Sequence, residues 1–214
     1  MAYSNAVLAA ILPHISDYAK KLDLPIPQPI TASQVAHFGV ANLQGDLGGG
    51  VWLTNNYWFV FANGYVDSFR LNKHNPFIDD DPAENWPKYA FGKINMTTNE
   101  AIDFARQSVV KLGYDVKALH IDIPPESFSG GVILNDGNPF PYCEMSWDHE
   151  VEITNGVNNS INVEAQVNMN NKSLIGLSII GRIAWQTNPP IAVVPELESD
   201  YQKRTQGQFH PASP

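Results

Sequence analysis

Residues 161–179, INVEAQVNMNNKSLIGLSI, carry the pattern that decides the fold class. Apolar side chains occupy every second position over residues 161–169, and polar side chains stand between them. Asn170 and Asn171 suit a turn, and the alternation resumes over residues 175–179. A period of two is typical of a strand with one buried face. The stretch therefore predicts an antiparallel hairpin with one dry face and one wet face.

Two stretches upstream, residues 142–153 and 119–123, alternate in the same way. They predict two more strands, which gives a sheet of about four strands. Before these strands, Thr97 and Glu100 have the spacing of a capping box, and an apolar stripe with helical spacing follows them as far as Gly113. We expect one helix packed on an antiparallel sheet.

The opening of this helix has an echo earlier in the chain. MTTNEAIDF at residues 96–104 resembles ITASQVAHF at residues 30–38, where a short helix is predicted from Thr31 to about Gly39. Residues 51–71 then carry two aromatic-rich runs around Asn63-Gly64, which is a signal for a hairpin. The echo indicates two units of the same kind.

The predicted fold class is α+β, with two tandem units of one helix packed on an antiparallel sheet. A helix and a Pro-rich strap fill residues 1–29, with Pro13 suited to the first turn of the helix. The first unit and an acidic connector fill residues 30–93, and the second unit fills residues 94–186. Residues 187–214 read as an extended Pro-rich tail.

Composition excludes several classes of function. The chain of 214 residues has a net charge of −9, which disfavours nucleic acid because phosphate contacts need Lys or Arg. Charged residues make up 16% of the chain, against about 25% in an average soluble domain. No apolar stretch reaches the length of a membrane span. The single cysteine, Cys143, reads as a small buried hydrophobe.

The second unit resembles a PepSY-type domain, a small cystatin-like module of one helix and an antiparallel sheet. Thr97, Glu100 and Ala101 match the helix opening of that family, and residues 161–179 match its closing hairpin, with a different turn. Residues 30–38 and 58–69 resemble a degenerate first copy. Proteins similar to this module are mostly exported or membrane-tethered, and many of them act by binding. The resemblance therefore implies a binding protein that is periplasmic or extracellular after removal of a signal peptide, or tethered to a membrane. It implies no catalytic residue.

Three sets of side chains are candidates for a site. The wet face of the second sheet gathers acidic side chains that could bind a cation or act as acid and base, among which we single out His120, Asp122, Glu144 and Glu164. The connector offers oxygen ligands for Ca²⁺ at Asp79, Asp80, Asp81 and Glu84, without the spacing of an EF-hand. The third set is aromatic and could stack on a ligand: Trp52, Trp58 and Trp86.

No catalytic signature such as Gly-x-Ser-x-Gly occurs in the chain. The sequence therefore favours a non-enzymatic binding or inhibitory module that acts on a protein or peptide partner. A hydrolase or metal-dependent enzyme on the acidic face, and a glycan-binding module on the tryptophans, stay open as alternatives. A homodimer is a further expectation, and no resident cofactor is expected apart from the Ca²⁺ considered above.

Overall fold

The computed structural model describes residues 2–43, 46–62, 65–73, 75–77, 89, 92–154 and 157–181. The first half of the chain forms α1 (Ala2–Lys21), a short 3-10 helix (Ala32–Gln34), β1 (Val35–Leu43), β2 (Asp46–Leu53), β3 (Tyr57–Ala62) and β4 (Tyr65–Leu71). The second half forms α2 (Thr98–Lys111), β5 (Ser127–Ile133), β6 (Pro139–Thr154), β7 (Val157–Asn168) and β8 (Ser173–Ile180).

The eight strands form one antiparallel sheet in the order β1-β2-β3-β4-β8-β7-β6-β5. The strands of each half of the chain are thus neighbours, and the two halves meet where β4 pairs with β8. An N-terminal helix, a second helix and a large antiparallel sheet confirm the α+β class.

The best-defined local predictions are confirmed. Helix α2 begins at a complete capping box, in which the Thr97 amide donates to Glu100 Oε2 at 2.7 Å and the Glu100 amide donates to Thr97 Oγ1 at 3.2 Å. Strands β7 and β8 form the predicted hairpin, with Ala165 opposite Leu177. β3 and β4 pair as expected, while Asn63 and Gly64 between them lie outside the described residues.

The predicted helix over residues 31–39 is wrong beyond Gln34. Its cap forms, because the Thr31 amide donates to Gln34 Oε1 at 2.8 Å, but only one 3-10 turn follows. Residues 35–43 continue as β1, since pairing with β2 satisfies their backbone groups and places Phe38 opposite Val51. The tertiary pairing overrides the local helix signal.

Two further predictions about elements need correction. Residues 119–123 lie in a loop of turns and bends and not in a strand. Their alternation reflects Leu119 and Ile121, which are buried against the core from this loop. The fourth strand of this half is β5. Helix α1 begins at Ala2, so Pro13 lies inside the helix and not in its first turn.

Both helices contribute to one hydrophobic core on a single face of the sheet, which we call the helix face. Ile11 and Ile15 of α1 and Ala105 of α2 have no exposed surface. They share a core cluster with sheet residues such as Phe59 and Val163. None of the helices described is both long and apolar enough to cross a membrane.

The opposite face of the sheet, which we call the open face, carries a second and smaller apolar cluster. Phe140, Tyr142 and Ile175 form it together with Tyr89 from the connector between the halves. Phe77 of the same connector packs edge-on against Phe140, with ring centroids 6.2 Å apart. Phe77 and Tyr89 of the connector thus cover one end of the open face.

Candidate functional site

Aromatic rings line the open face across the first three strands. The register places His37 of β1 opposite Trp52 of β2, and Trp52 opposite Trp58 of β3. The ring centroids of His37 and Trp52 lie 5.1 Å apart. The two indoles stack at 5.2 Å with an interplanar angle of 13°. The rings therefore form a row that continues from the sheet edge toward its centre.

Gly50 lies beneath the two indoles and leaves room for them on the sheet. A Cβ atom on Gly50 would lie 2.6 Å from Trp58 Nε1 and 3.0 Å from Trp52 Cζ3. The indoles consequently occupy the space above the backbone of Gly50. Trp58 Nε1 is buried there and has no hydrogen-bond partner among the described residues.

The next position in the row is charged. Arg70 of β4 lies opposite Trp58, and its Nη2 atom is 3.9 Å from Glu164 Oε1 of β7. Both side chains are 33% exposed, so the ion pair is accessible to a ligand. A pair this exposed contributes little to stability.

A buried amide organises the carboxylates beside Arg70. Gln166 Nε2 donates to Glu144 Oε2 at 2.6 Å and to Glu164 Oε1 at 3.2 Å. Glu144 Oε2 and Glu164 Oε1 therefore both lie within hydrogen-bond distance of the same nitrogen atom. Gln166 Oε1 accepts from Asn75 Nδ2 at 2.9 Å, and both amide residues are only 2% exposed. The connector thus fixes Gln166, and Gln166 fixes the two carboxylates.

The absence of a side chain at Gly176 leaves space for the Gln166 amide. Gly176 of β8 lies between Arg70 and Gln166 in the register, and a Cβ atom there would be 2.6 Å from Gln166 Oε1. The bare backbone of β8 lets the amide lie across it. The rings and the polar network are joined into one band across the sheet, which we call the open-face strip: His37, Trp52, Trp58, Arg70, Glu164, Gln166 and Glu144.

The structure brings together only part of the acidic set predicted from the sequence. Glu144 and Glu164 meet through Gln166. His120 and Asp122 lie in the turns after α2, away from that pair. The His120 ring lies 5.7 Å from that of His149, which is opposite Ile161 on the helix face. Asp122 borders a shallow groove of about 530 Å³ beside Arg106 of α2.

The other predicted sets are described in part. Trp52 and Trp58 lie together in the strip, whereas Trp86 lies outside the described residues. The Ca²⁺ candidates Asp79, Asp80, Asp81 and Glu84 also lie outside them. Within the described ranges, no three His, Cys, Asp or Glu side chains are grouped so that they could hold a metal ion.

Sequence reasoning missed four residues of the site. Arg70 is the only basic residue in residues 51–71, and Gln166 follows Glu164 by two positions on the same strand face. Arg70 and Gln166 could therefore have been predicted from the sequence. His37 was assigned to a helix, and Asn75 had no local signal because its partner Gln166 is 91 residues away.

A separate titratable group lies at the helix face. Burial raises the pKa of Asp67 in β4 to about 7. Burial, followed by the charge of Asp67, raises the pKa of Tyr114 to about 12. Burial, followed by the charges of Tyr114 and then of Asp67, raises the pKa of Tyr18. The Tyr18 hydroxyl is buried without a hydrogen-bond partner among the described residues. Partly buried at the helix face, Asp67 therefore has a pKa near neutral pH.

Comparison with protein-family models, with curated proteins and with solved structures found no match to this chain. Function must therefore be inferred from the geometry of the strip. That geometry offers stacked rings, one guanidinium and two positioned carboxylates on a surface that the helices leave uncovered.

Proposed function

We propose that the protein is a non-enzymatic binding module that holds a protein or peptide partner against the open-face strip. The observation that carries the proposal is the stacked pair Trp52–Trp58, which lies next to the ion pair Arg70–Glu164 on the sheet face opposite the two helices. Tryptophan and arginine are the residues most enriched where protein interfaces gain their affinity. Rings beside charges give a surface that suits a mixed peptide.

The charges indicate what kind of segment fits. Glu164 pairs with the Arg70 guanidinium, Gln166 joins Glu164 to a second carboxylate at Glu144, and the whole chain carries a net charge of −9. A partner segment with a Lys or Arg next to an apolar or aromatic side chain complements this arrangement. Its apolar side chain would pack on the indoles, and its cation would face the carboxylates.

Selection from a displayed random peptide library tests this proposal. We expect the wild-type protein to enrich peptides that combine an aromatic or large apolar residue with Lys or Arg. Their affinity should fall at least tenfold for Trp58→Ala and for Glu164→Gln. The matched control is Val110→Ala, on the exposed outer side of α2, which should bind as the wild type does.

Enriched peptides that bind the three variants and the wild type equally would contradict the proposal. Far-ultraviolet circular dichroism of each variant shows whether the fold is intact. Loss of binding counts only for a variant with an intact fold.

A glycan is the second candidate ligand, and the same indole pair favours it. Sugar rings stack their C–H faces on aromatic rings, and planar polar side chains such as Arg70, Glu144 and Glu164 hydrogen-bond sugar hydroxyls. A glycan array probed with the wild-type protein and with Trp58→Ala separates the two ligands. Binding to defined glycans that is lost in the variant would favour this candidate.

We also propose that the chain is built from two tandem units that resemble a PepSY-type domain. The order of elements supports this proposal, because each long helix is followed by four antiparallel strands. In this proposal α1, and not the helix predicted at residues 31–39, is the helix of the first unit. The two units join through their last strands, β4 and β8.

A further inference from the structure

We propose that β1 is a pairing edge through which two copies of this chain form one continuous antiparallel sheet. β1 is the terminal strand in the order, and in the part of the chain that is described β2 is its strand partner. Its register with β2 is regular over seven consecutive pairs, from His37 to Leu43. The strand is therefore straight enough to present a regular outer row of backbone donors and acceptors.

Over residues 37–43, the β1 strand itself carries none of the charges, prolines or bulges that usually prevent such pairing. Sheet edges are normally protected by charged side chains, proline, bulges or short length. Residues 35–43, VAHFGVANL, contain no Lys, Arg, Asp, Glu or Pro. The one irregularity of β1 lies at its start, between Val35 and His37.

The opposite edge shows the contrast. In β5, Gly130 and Gly131 have positive φ angles of 92° and 62°, and the register with β6 shifts between Gly130 and Val132. This bulge bends the outer row of β5 and interrupts it. Within the described strands, the sheet thus has one edge that is interrupted by a bulge and one edge that is regular over residues 37–43.

The chemistry of β1 favours a second copy as its occupant. A chain with a net charge of −9 repels its own copies over most of its surface, but antiparallel pairing of β1 with itself brings no charged side chain opposite another. Phe38 and Val40 are only partly buried and already pack against the core of their own chain. In a symmetric pair, the same residues of the second copy would extend that apolar layer.

Such pairing has a consequence for the open-face strip. Two antiparallel neighbours in one sheet are related by a two-fold axis perpendicular to the sheet, so both open faces lie on the same side. The aromatic row starts at His37 in β1, at the junction between the copies. The dimer would therefore present two strips side by side, joined at their aromatic ends.

Sedimentation velocity of the full chain tests the inference. We expect the wild-type protein to be a dimer in the micromolar range. The double variants His37→Lys/Gly39→Lys and His37→Glu/Gly39→Glu should each be monomers, because like charges then face each other across the edge. An equimolar mixture of the two should restore a dimer. The control Ser129→Lys, on the β5 edge, should remain dimeric.

A wild-type protein that stays monomeric throughout this range would overturn the inference, as would a dimer that both double variants preserve. Hydrogen exchange provides a measurement that needs no variant. Backbone amides of residues 37–43 should exchange more slowly at high than at low protein concentration, while those of β5 should be unchanged. Equal exchange of β1 at both concentrations would also overturn the inference. The result does not depend on which ligand the strip binds.

Discussion

Phe69 of β4 lies directly opposite Leu177 of β8, and this pair joins the two halves of the sheet. Each residue is only 2% exposed. The Phe69 ring also lies 6.3 Å from the ring of Tyr18 in α1 and 6.0 Å from that of Phe59 in β3. The aromatic side chain of Phe69 in β4 thus contacts the N-terminal helix and β3, and its residue pairs with β8.

The junction predicts the cost of truncating Phe69. Phe69→Ala should lower the free energy of unfolding by about 3–5 kcal/mol, because it leaves a cavity between the two halves. Urea denaturation followed by circular dichroism measures this change. Ser68→Ala is the matched control on the other face of the same strand and should change stability by less than about 1 kcal/mol. Equal effects of the two substitutions would show that the junction is not tightly packed.

The junction also predicts that residues 94–186 do not fold alone. Without β4, the edge of β8 and the apolar side chain of Leu177 would be exposed to solvent. We expect this fragment to be aggregated or unfolded under conditions in which the full chain is folded. A soluble fragment with a cooperative unfolding transition would contradict the prediction.

The partly buried carboxyl of Asp67 predicts that stability falls as the pH rises from about 4 to about 7. Burial raises its pKa in the folded protein from 3.8 to about 7. Between these two values the folded state binds more protons than the unfolded state, so raising the pH favours unfolding. At about 1.4 kcal/mol per pH unit, the loss from this group between pH 4 and pH 8 is at most about 4 kcal/mol.

The variant Asp67→Asn tests this pH dependence. The amide stays neutral, so the free energy of unfolding should decline less steeply between pH 5 and pH 8 than in the wild type. The control Asp103→Asn, with a side chain 64% exposed on α2, should keep the wild-type slope. Parallel slopes for all three proteins would exclude Asp67 as the source.

Two glycines in the β1–β2 pair should respond very differently to alanine. A Cβ atom on Gly49 would collide with the carbonyl oxygen of Gly39 and lie 2.7 Å from the Phe61 ring. On Gly39, the nearest atom to a new Cβ is Trp52 Cζ3 at 4.0 Å. We expect Gly49→Ala to lower the melting temperature by several degrees and Gly39→Ala to have little effect. Similar melting temperatures for the two variants would show that the β1–β2 pair accommodates a Cβ atom at Gly49 without loss of stability.

The buried amide pair predicts energetic coupling between the connector and the sheet. Replacing either Asn75 or Gln166 by Ala leaves the other amide buried without this hydrogen bond, at a cost of about 1–3 kcal/mol. The double variant should cost less than the sum of the two single variants. Urea denaturation of the four proteins completes the cycle. Additive losses would mean that the two amides do not act together.

Local signals predicted the second half of the chain well. The capping box at Thr97 and the alternation over residues 161–179 act within a few residues, so the sequence carried them directly. β1 was missed because a real cap at Thr31 precedes a strand that only the pairing with β2 selects. Residues 119–123 alternate because two of their side chains reach the core from a loop.

The candidate site was predicted only in its acidic and aromatic ends. Glu144 and Glu164 could be placed on one face because strand alternation fixes it. Two contacts link those ends. Arg70 of β4 lies opposite Gly176 of β8, and the Asn75 amide donates to Gln166. Neither contact follows from spacing, since both depend on how β4 and β8 meet.

Cys143 has no exposed surface, and burial raises the pKa of its thiol to about 12. At neutral pH almost no thiolate forms, and a thiol reagent reaches the sulfur only when the core around β6 opens. Because Cys143 is the single cysteine of the chain, the labelling rate reads out one site without any engineering. The labelling rate of Cys143 thus reports how often the core opens, and a bound partner that rigidifies the sheet should lower this rate.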